Sequence, residues 1–428
     1  MARILFATIG SLGDLHPVLA LALEMRRRGH AVGIATSEFY RDRIGALGFA
    51  FHPLPPAISL TDETLIRHLM DGRRGSMWLL RDLMLPATAA MYPALAAAAA
   101  DADLLVASEL VYAAPILAGK TGLPWAAYAL APISIFSVHD PSLLPGPRGT
   151  HWLQSLGPAA NRLLLAAARL YTRGWWQPVR TLRRAQGLPP GDNPLFAGKW
   201  SPHLNLALFS PVLQAPQPDW PAHTRQTGFA FYDETPPGAG DPALPPAVAD
   251  FLAAGDPPVV FTLGSAAVHL AGDFYAQSAR AAQQLGRRAL LLLGKNPPPP
   301  GLPPTILPWD YLPFAPIFPR AAAIVHQGGV GTTAQALRAG RPMLVVPFAH
   351  DQPDNAARVT RLGVARTLPR FRYTAPRVAR ELAALLDDPA PAARAALLGQ
   401  RLRAETGTAS ASDALEELLR TGGAAVSA

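Results

Sequence analysis

The sequence predicts an α/β protein built from two doubly wound parallel sheets in tandem. Three observations predict it. Strand, glycine turn, helix and strand are completed by Thr36, the alternation then continues through the first half, and a proline-dense stretch between Ser210 and Pro258 separates it from a second run of the same kind. A chain of 428 residues accommodates two such domains, expected over 1–210 and 258–405 with a linker region over 211–257 and a closing helix over 406–428 that packs back on the first domain. Two sheets of this type facing one cleft bind ligands at the carboxyl ends of their strands.

Each element has a local cause. The apolar run Ile4–Thr8 meets Gly10 and Gly13, after which Val18, Leu19, Ala22, Leu23 and Met25 recur at helical spacing until Arg28-Gly29. A strand at Ala31–Thr36 follows, then a helix over Phe39–Leu47 and strands at Phe49–Leu54, Leu104–Ser108, Trp125–Leu130 and Leu204–Ser210, with a helix after Tyr112. Pro216, Pro218, Pro221, Pro236, Pro237 and Pro242 then forbid long helices and central strands. The alternation restarts with strand Val259–Leu263, helix Phe274–Leu285 and strands Ala289–Leu293, Ile306–Trp309 and Ala322–His326. Helix Thr332–Ala339, strand Met343–Val346 and helix Asn355–Leu362 complete it.

Composition narrows the function. Half of the residues are apolar and 16% are charged, so the chain carries ample core and is not disordered. With no Cys, disulfides and thiolate-held zinc or iron–sulfur sites are excluded. The net charge of +8 comes from 35 Arg and 3 Lys against 30 acids, yet no nucleic-acid motif or aromatic-interleaved basic cluster accompanies it, so nucleic acid is not an expected partner. Leu83–Ala100 and Thr121–Val138 lack charges, but Pro86, Pro93, Pro124 and Pro132 interrupt them, and they read as buried elements. The N-terminus shows no signal-peptide pattern, so a cytoplasmic location is expected.

The densest functional signal is His326-Gln327-Gly328-Gly329-Val330-Gly331-Thr332-Thr333, placed between a strand and a helix. Glycines let backbone approach a ligand, a helix N-terminus favours an anion, and the two threonines add hydroxyl donors, which together suit a diphosphate. The segment lacks the Gly-Lys-Ser/Thr of nucleoside-triphosphate loops. The first turn, Gly10-x-x-Gly13, likewise departs from the dinucleotide fingerprint.

These residues, with Gly340-x-Pro342, Pro347 and Asp351-Gln352, resemble the donor-sugar signature of glycosyltransferase family 1, inverting transferases with the GT-B fold of two Rossmann-like domains. The opening from Gly10 through Asp14 to Pro17 is similar to the acceptor-domain start of its bacterial members. Within the family, Asp219-Trp220-Pro221, Thr227-Gly228-Phe229, Phe261-Thr262-x-Gly264-Ser265, Gly272–Tyr275 and His350–Asn355 look most like the rhamnosyltransferase chain of rhamnolipid synthesis. The resemblance implies that His326, Gly328, Gly329, Val330, Gly331 and Thr332 hold the nucleotide diphosphate, with Ser265 on the opposite loop. It further implies that Asp351 and Gln352 bond the transferred sugar. The base is expected near Trp309, Tyr311 and Leu312; the plant form of the signature has a Trp before a Pro-Gln pair, and Tyr311-Leu312-Pro313-Phe314 here leaves Trp309 and Tyr311 both open as the stacking ring.

Transfer from a nucleotide sugar needs a stabilised leaving group and a general base. A helix dipole, backbone N–H groups and His326 can supply the first without metal. Asp101-Ala102-Asp103 precedes a strand, away from the cleft, and is not read as a metal site; no metal or other cofactor is expected. For the base the candidates are Asp14, which could equally cap a helix starting near His16, then His16, then His139. Apolar residues from Leu65 to Leu85, including Met70, Met77, Trp78 and Met84, suit either a core or a wall for a lipid acceptor. Arg162, Arg169, Arg173, Arg180 and Arg184 fall on one face of a continuous helix, either solvated or laid on an anionic membrane. The expected function is transfer of a sugar, L-rhamnose from dTDP-rhamnose, to the hydroxyl of a lipid such as a 3-(3-hydroxyalkanoyloxy)alkanoate. The alternatives are a UDP-sugar-dependent glucosyltransferase acting on a polyketide, flavonoid or sterol, and a non-catalytic nucleotide-sugar-binding partner.

Overall fold

Strands that read as unbroken apolar runs, such as Leu104–Ser108 and Trp125–Ala129, are buried along their whole length, as the middle of a parallel sheet requires. The computed structural model describes residues 1–58, 62–143, 155–233 and 244–424. The described residues of 1–59, 73–231 and 406–428 form one unit, and those of 60–72 and 232–405 form the other.

In the first unit β1 (Arg3–Ala7), β2 (Ala31–Thr36), β3 (Ala50–Pro53), β4 (Leu104–Ser108), β5 (Trp125–Ala129), β6 (Leu204–Ala207) and β7 (Thr224–Gln226) make a parallel sheet in the order β3-β2-β1-β4-β5-β6-β7. Ile4 stands between Val32 and Leu104 in register. Its helices are α1 (Leu12–Arg27), α2 (Arg41–Ala46), and, beyond α3 (Glu63–Leu69), α4 (Gly75–Met77), α5 (Leu85–Ala98), α6 (Ala114–Thr121), α7 (Pro158–Tyr171) and α8 (Gln177–Ala185). Trp78–Met84, between α4 and α5, is π-helical. The strand order reverses at β1 and β4, so the loop after β1 opens at a topological switch point.

The second unit repeats the plan. Strands β8 (Val259–Thr262), β9 (Ala289–Leu292), β10 (Ile306–Trp309), β11 (Ala323–His326), β12 (Met343–Val345) and β13 (Ala365–Thr367) run parallel in the order β10-β9-β8-β11-β12-β13. Its helices are α9 (Pro246–Ala253), α10 (Phe274–Gln284), α11 (Val330–Ala339), α12 (Gln352–Arg361), α13 (Ala375–Leu386) and α14 (Pro389–Ala404). Here the reversal falls between β8 and β11, which brings the loops after these two strands side by side.

The domain boundaries differ from the sequence expectation in three places. The short helix α3 belongs to the second unit, where Ile66 and Met70 are buried in a core with Phe261, Val325 and Leu344. Residues 211–231 belong to the first unit and supply its edge strand β7, whereas α9 belongs to the second; residues 234–243 of the expected linker lie outside the described residues. The closing helix α15 (Gly407–Arg420) packs on α1, with Leu415 and Leu418 fully buried and Arg28 paired to Asp413 (2.6 Å) and Glu416 (2.7 Å).

Candidate active site

His326 ends β11, and after three intervening residues the chain enters α11. The bend between them is Gly328, at φ +89, where a Cβ would stand 2.8 Å from Val345 Cγ1 and 3.1 Å from the Gln352 carbonyl. Only glycine fits there. The first amides of a helix have no acceptor within it. In α11 the Val330 N–H donates to Asp351 Oδ2 (3.0 Å), while Gly331 is exposed and has nothing within 4 Å of where a Cβ would be. The amide end of α11 at Gly331 and Thr332 is therefore open to an anion.

His326 is fully buried, and burial pushes its imidazole down to about 3, so the ring is neutral. Its Nδ1 accepts from the Gly328 N–H (3.1 Å), which puts the proton on Nε2; that atom meets no hydrogen-bond partner among the described residues. The imidazole is thus a neutral N–H donor. Asp351 and Gln352 both brace the surrounding loops: Asp351 Oδ2 also accepts from Asn355 Nδ2 (2.7 Å), and Gln352 Oε1 accepts from the Phe348 and Ala349 N–H groups (2.8 and 3.1 Å). His350, beside them, is held at φ +59. Ser265 follows β8 on the neighbouring loop, half-buried. Of the three residues expected at the base, Leu312 is buried, Trp309 is half-buried at the end of edge strand β10, and Tyr311 is 48% exposed.

In the first unit the N-cap of α1 is Ser11. Asp14 occupies the third helical position of a capping box, which corrects the expectation of an Asp cap near His16. Its Oδ2 accepts from the Ser11 N–H (2.7 Å) and the Ser11 hydroxyl (3.3 Å), and lies where a Cβ on Gly10 would be 2.1 Å away. Burial, with a smaller contribution from the Glu109 charge, raises the Asp14 carboxyl to about 6. Arg43 Nη1 lies 3.2 Å from His16 Nε2; since arginine only donates, that nitrogen of His16 accepts, and its lone pair is engaged. His139 is exposed on a loop that Asp219 holds through the Ser137 hydroxyl (2.6 Å) and the Val138 N–H (2.7 Å). Asp14 is the candidate base that this geometry favours.

Other expectations are redistributed. Ile66 and Met70 are core of the second unit, and Met84 and Leu85 core of the first, whereas Leu65, Leu69, Met77, Trp78, Leu79, Leu80 and Leu83 keep partly exposed apolar surface. Asp101 and Asp103 face Arg3, through its side chain (3.3 Å) and backbone N–H (2.7 Å). Among the described residues, no group of three or more His, Cys, Asp or Glu is gathered to hold a metal ion. Gln327 was missed as a site residue although it stands inside the motif. Its amide lies against both Gly264 and Gly329, and its Nε2 donates to Thr332 Oγ1 (3.3 Å).

Two parallel-sheet domains, one of which presents a glycine bend and an open helix N-terminus after a central strand, have the architecture of the GT-B class of glycosyltransferases. Residues 4–123 match the N-terminal domain of glycosyltransferase family 28, and residues 294–418 match the C-terminal domain of proteins like erythromycin biosynthesis protein CIII. The chain is 34% identical to O-mycaminosyltylonolide 6-deoxyallosyltransferase of Streptomyces fradiae over 98% of both chains. It is 28% identical to vancomycin aglycone glucosyltransferase of Amycolatopsis orientalis over 85% of this chain and 84% of that one. Among solved structures, the glycotransferase of kitacinnamycin superposes with a TM-score of 0.73 at 24% identity, covering 98% of this chain and 99% of that one. Glycosyltransferase VinC in complex with dTDP superposes with 0.65 at 21%, with the same coverage. The chain belongs to the GT-B glycosyltransferases of the family 1/28 type, alongside the erythromycin CIII-like enzymes of antibiotic synthesis, and is a glycosyltransferase. The narrower likeness to rhamnolipid synthesis has no counterpart among these relatives.

Proposed function

We propose that the protein moves a deoxysugar from a dTDP-linked donor to a hydroxyl of a polyketide-type acceptor, with inversion at the anomeric carbon. The observation that carries this is the full-length likeness to a 6-deoxyallosyltransferase whose acceptor, by its name, is a glycosylated lactone. Asp14 takes the proton of the acceptor hydroxyl as its oxygen bonds to the anomeric carbon. The bond from that carbon to the diphosphate oxygen breaks, and the electron pair leaves with the nucleoside diphosphate. The amides of Gly331 and Thr332 and the His326 Nε2–H receive the growing charge, with Ser265 on the facing loop. Trp309 or Tyr311 stacks on the base, and Gln352 Nε2 meets a sugar hydroxyl, its oxygen being taken by the loop.

Rhamnose transfer to a hydroxyalkanoyl lipid is the second reading, favoured by the half-buried apolar residues of the π-helical segment. Melting shifts with dTDP and UDP, followed by turnover with a macrolactone and with a 3-(3-hydroxyalkanoyloxy)alkanoate, separate the readings. The expected result is a larger shift with dTDP and turnover of the macrolactone. Turnover of the lipid alone installs the second reading, a UDP preference points to a glucosyltransferase, and binding without any turnover marks a non-catalytic partner.

Contact with an anionic membrane belongs to the same proposal. The five arginines do not share one helix, because the chain breaks after Thr172 into α7 and α8. What α7 does carry is an outward apolar stripe, Leu163 (73% exposed), Leu170 (63%) and Tyr171 (68%), flanked by exposed Arg162, Arg169 and Arg173. From Ser155 to Gly191 there are six arginines and no acid. That combination suits the headgroup boundary of an anionic bilayer, although no helix among the described residues is long and apolar enough to cross one. The protein is expected to float with phosphatidylglycerol-containing vesicles and not with pure phosphatidylcholine, and Leu163→Glu/Leu170→Glu to abolish it. A dimer that the same variant dissociates, with no flotation, would assign the stripe to a second copy and overturn the membrane proposal.

A further inference from the structure

We propose that Gln327 is a positioning residue of the donor site, which turns the Thr332 hydroxyl into a donor toward the diphosphate. This rests on the nucleotide-sugar reading and assigns a residue that the reading leaves idle. Gln327 and Thr332 are 6% and 7% exposed, so neither serves as a surface group. An amide N–H can only donate, hence the 3.3 Å contact from Gln327 Nε2 occupies a lone pair of Thr332 Oγ1 and leaves the hydroxyl hydrogen to be given elsewhere. At the open end of α11 that hydrogen joins the backbone amides as one more donor for a bound oxyanion.

The side chain is held in place from two sides. A Cβ on Gly264 would stand 2.4 Å from Gln327 Nε2, and one on Gly329 would stand 2.8 Å from it. Gly264 follows β8 at φ +63, and Gly329 is the N-cap of α11. The two glycines therefore form a slot that fits a planar amide, and the amide packs against the loop that carries Ser265. Gln327 Oε1 is buried with no partner among the described residues, as is the neighbouring His326 Nε2. Buried polar atoms of this kind are ordinarily satisfied, so the pair marks a site completed by what binds there. Because a carbonyl oxygen repels a phosphate, Oε1 faces a water or hydroxyl of the bound donor, and the phosphate falls to the Thr332 side.

The test compares dTDP with thymidine by calorimetry for Gln327→Leu, Thr332→Val and the double variant, with melting temperatures alongside. Gln327→Leu is expected to lose roughly tenfold in dTDP affinity and to leave thymidine affinity unchanged. The double variant should lose no more than Thr332→Val alone, since both act through one hydroxyl. In turnover, the donor KM should rise more than kcat falls. Gln327→Glu should bind dTDP more weakly than Gln327→Leu, because its carboxylate adds charge and takes the hydroxyl hydrogen. If leucine does not fold in the slot, the nearly isosteric Gln327→Met is read in its place. Equal losses for dTDP and thymidine, or additive losses in the double variant, would overturn the proposal. Wild-type protein that binds no nucleoside diphosphate would instead overturn the donor-site reading beneath it.

Discussion

Asp14→Asn is expected to lower turnover by about 10² to 10⁴ while the protein melts at the wild-type temperature or above it. The two effects part because the carboxylate sits in a costly place. Its folded-state value, about 6 against an ordinary 3.8, lies above the unfolded one. Its contribution to stability is therefore present below about 3.8 and is lost as pH rises through about 6. At neutral pH the ionised group destabilises the fold, and an amide, which still accepts from the Ser11 N–H, removes that cost. The wild-type rate should climb with pH through about 6 as the base loses its proton. A variant that keeps its turnover would reduce Asp14 to a capping residue. His16→Gln, run in parallel, checks the other candidate: collapse there with Asp14→Asn still active moves the role to the histidine.

His326→Ala is expected to cost about 2 to 4 kcal/mol in transition-state stabilisation, seen as a loss in both donor affinity and kcat/KM. The ring contributes as a neutral donor. Burial holds its value near 3, so no ionisation of His326 should appear in the rate profile at higher pH. Since the residue is wholly buried, the melting temperature must be followed together with turnover, and a folded variant with unchanged turnover would remove His326 from the mechanism.

Much of this was legible because parallel sheets buried on both faces leave continuous apolar runs. Leu104–Ser108, buried throughout, lies where the sequence places it, and so do the less buried Ala31–Thr36 and the edge strand Ile306–Trp309. What escaped notice had weak local signals. Strand β7 is three residues long among prolines and is tolerable because it lies at the sheet edge, and β13 is an equally short edge. The cap on α1 was misplaced by three residues because Ser11 and Asp14 share one capping box. Gln327 went unassigned because its importance lies in two glycines, one of them 63 positions away on another strand's loop, that give it room. No periodicity reports such a pairing. The engagement of His16 by Arg43 on α2 is invisible in sequence for the same reason.

The exchange of segments between the units also governs how the chain can be made. Ile66 and Met70 complete a core whose other members, such as Phe261 and Leu344, are synthesised some 200 to 280 residues later, and Arg28 waits for Asp413 and Glu416. Each unit closes over very long loops, and closing them is the slow step for topologies of high contact order. On the ribosome the first sheet can pair as far as β7, yet α3 must stay undocked until the second sheet exists, and α1 stays half-covered until α15 emerges. Neither unit finishes before the other is nearly complete, so the two mature together once α15 has been made.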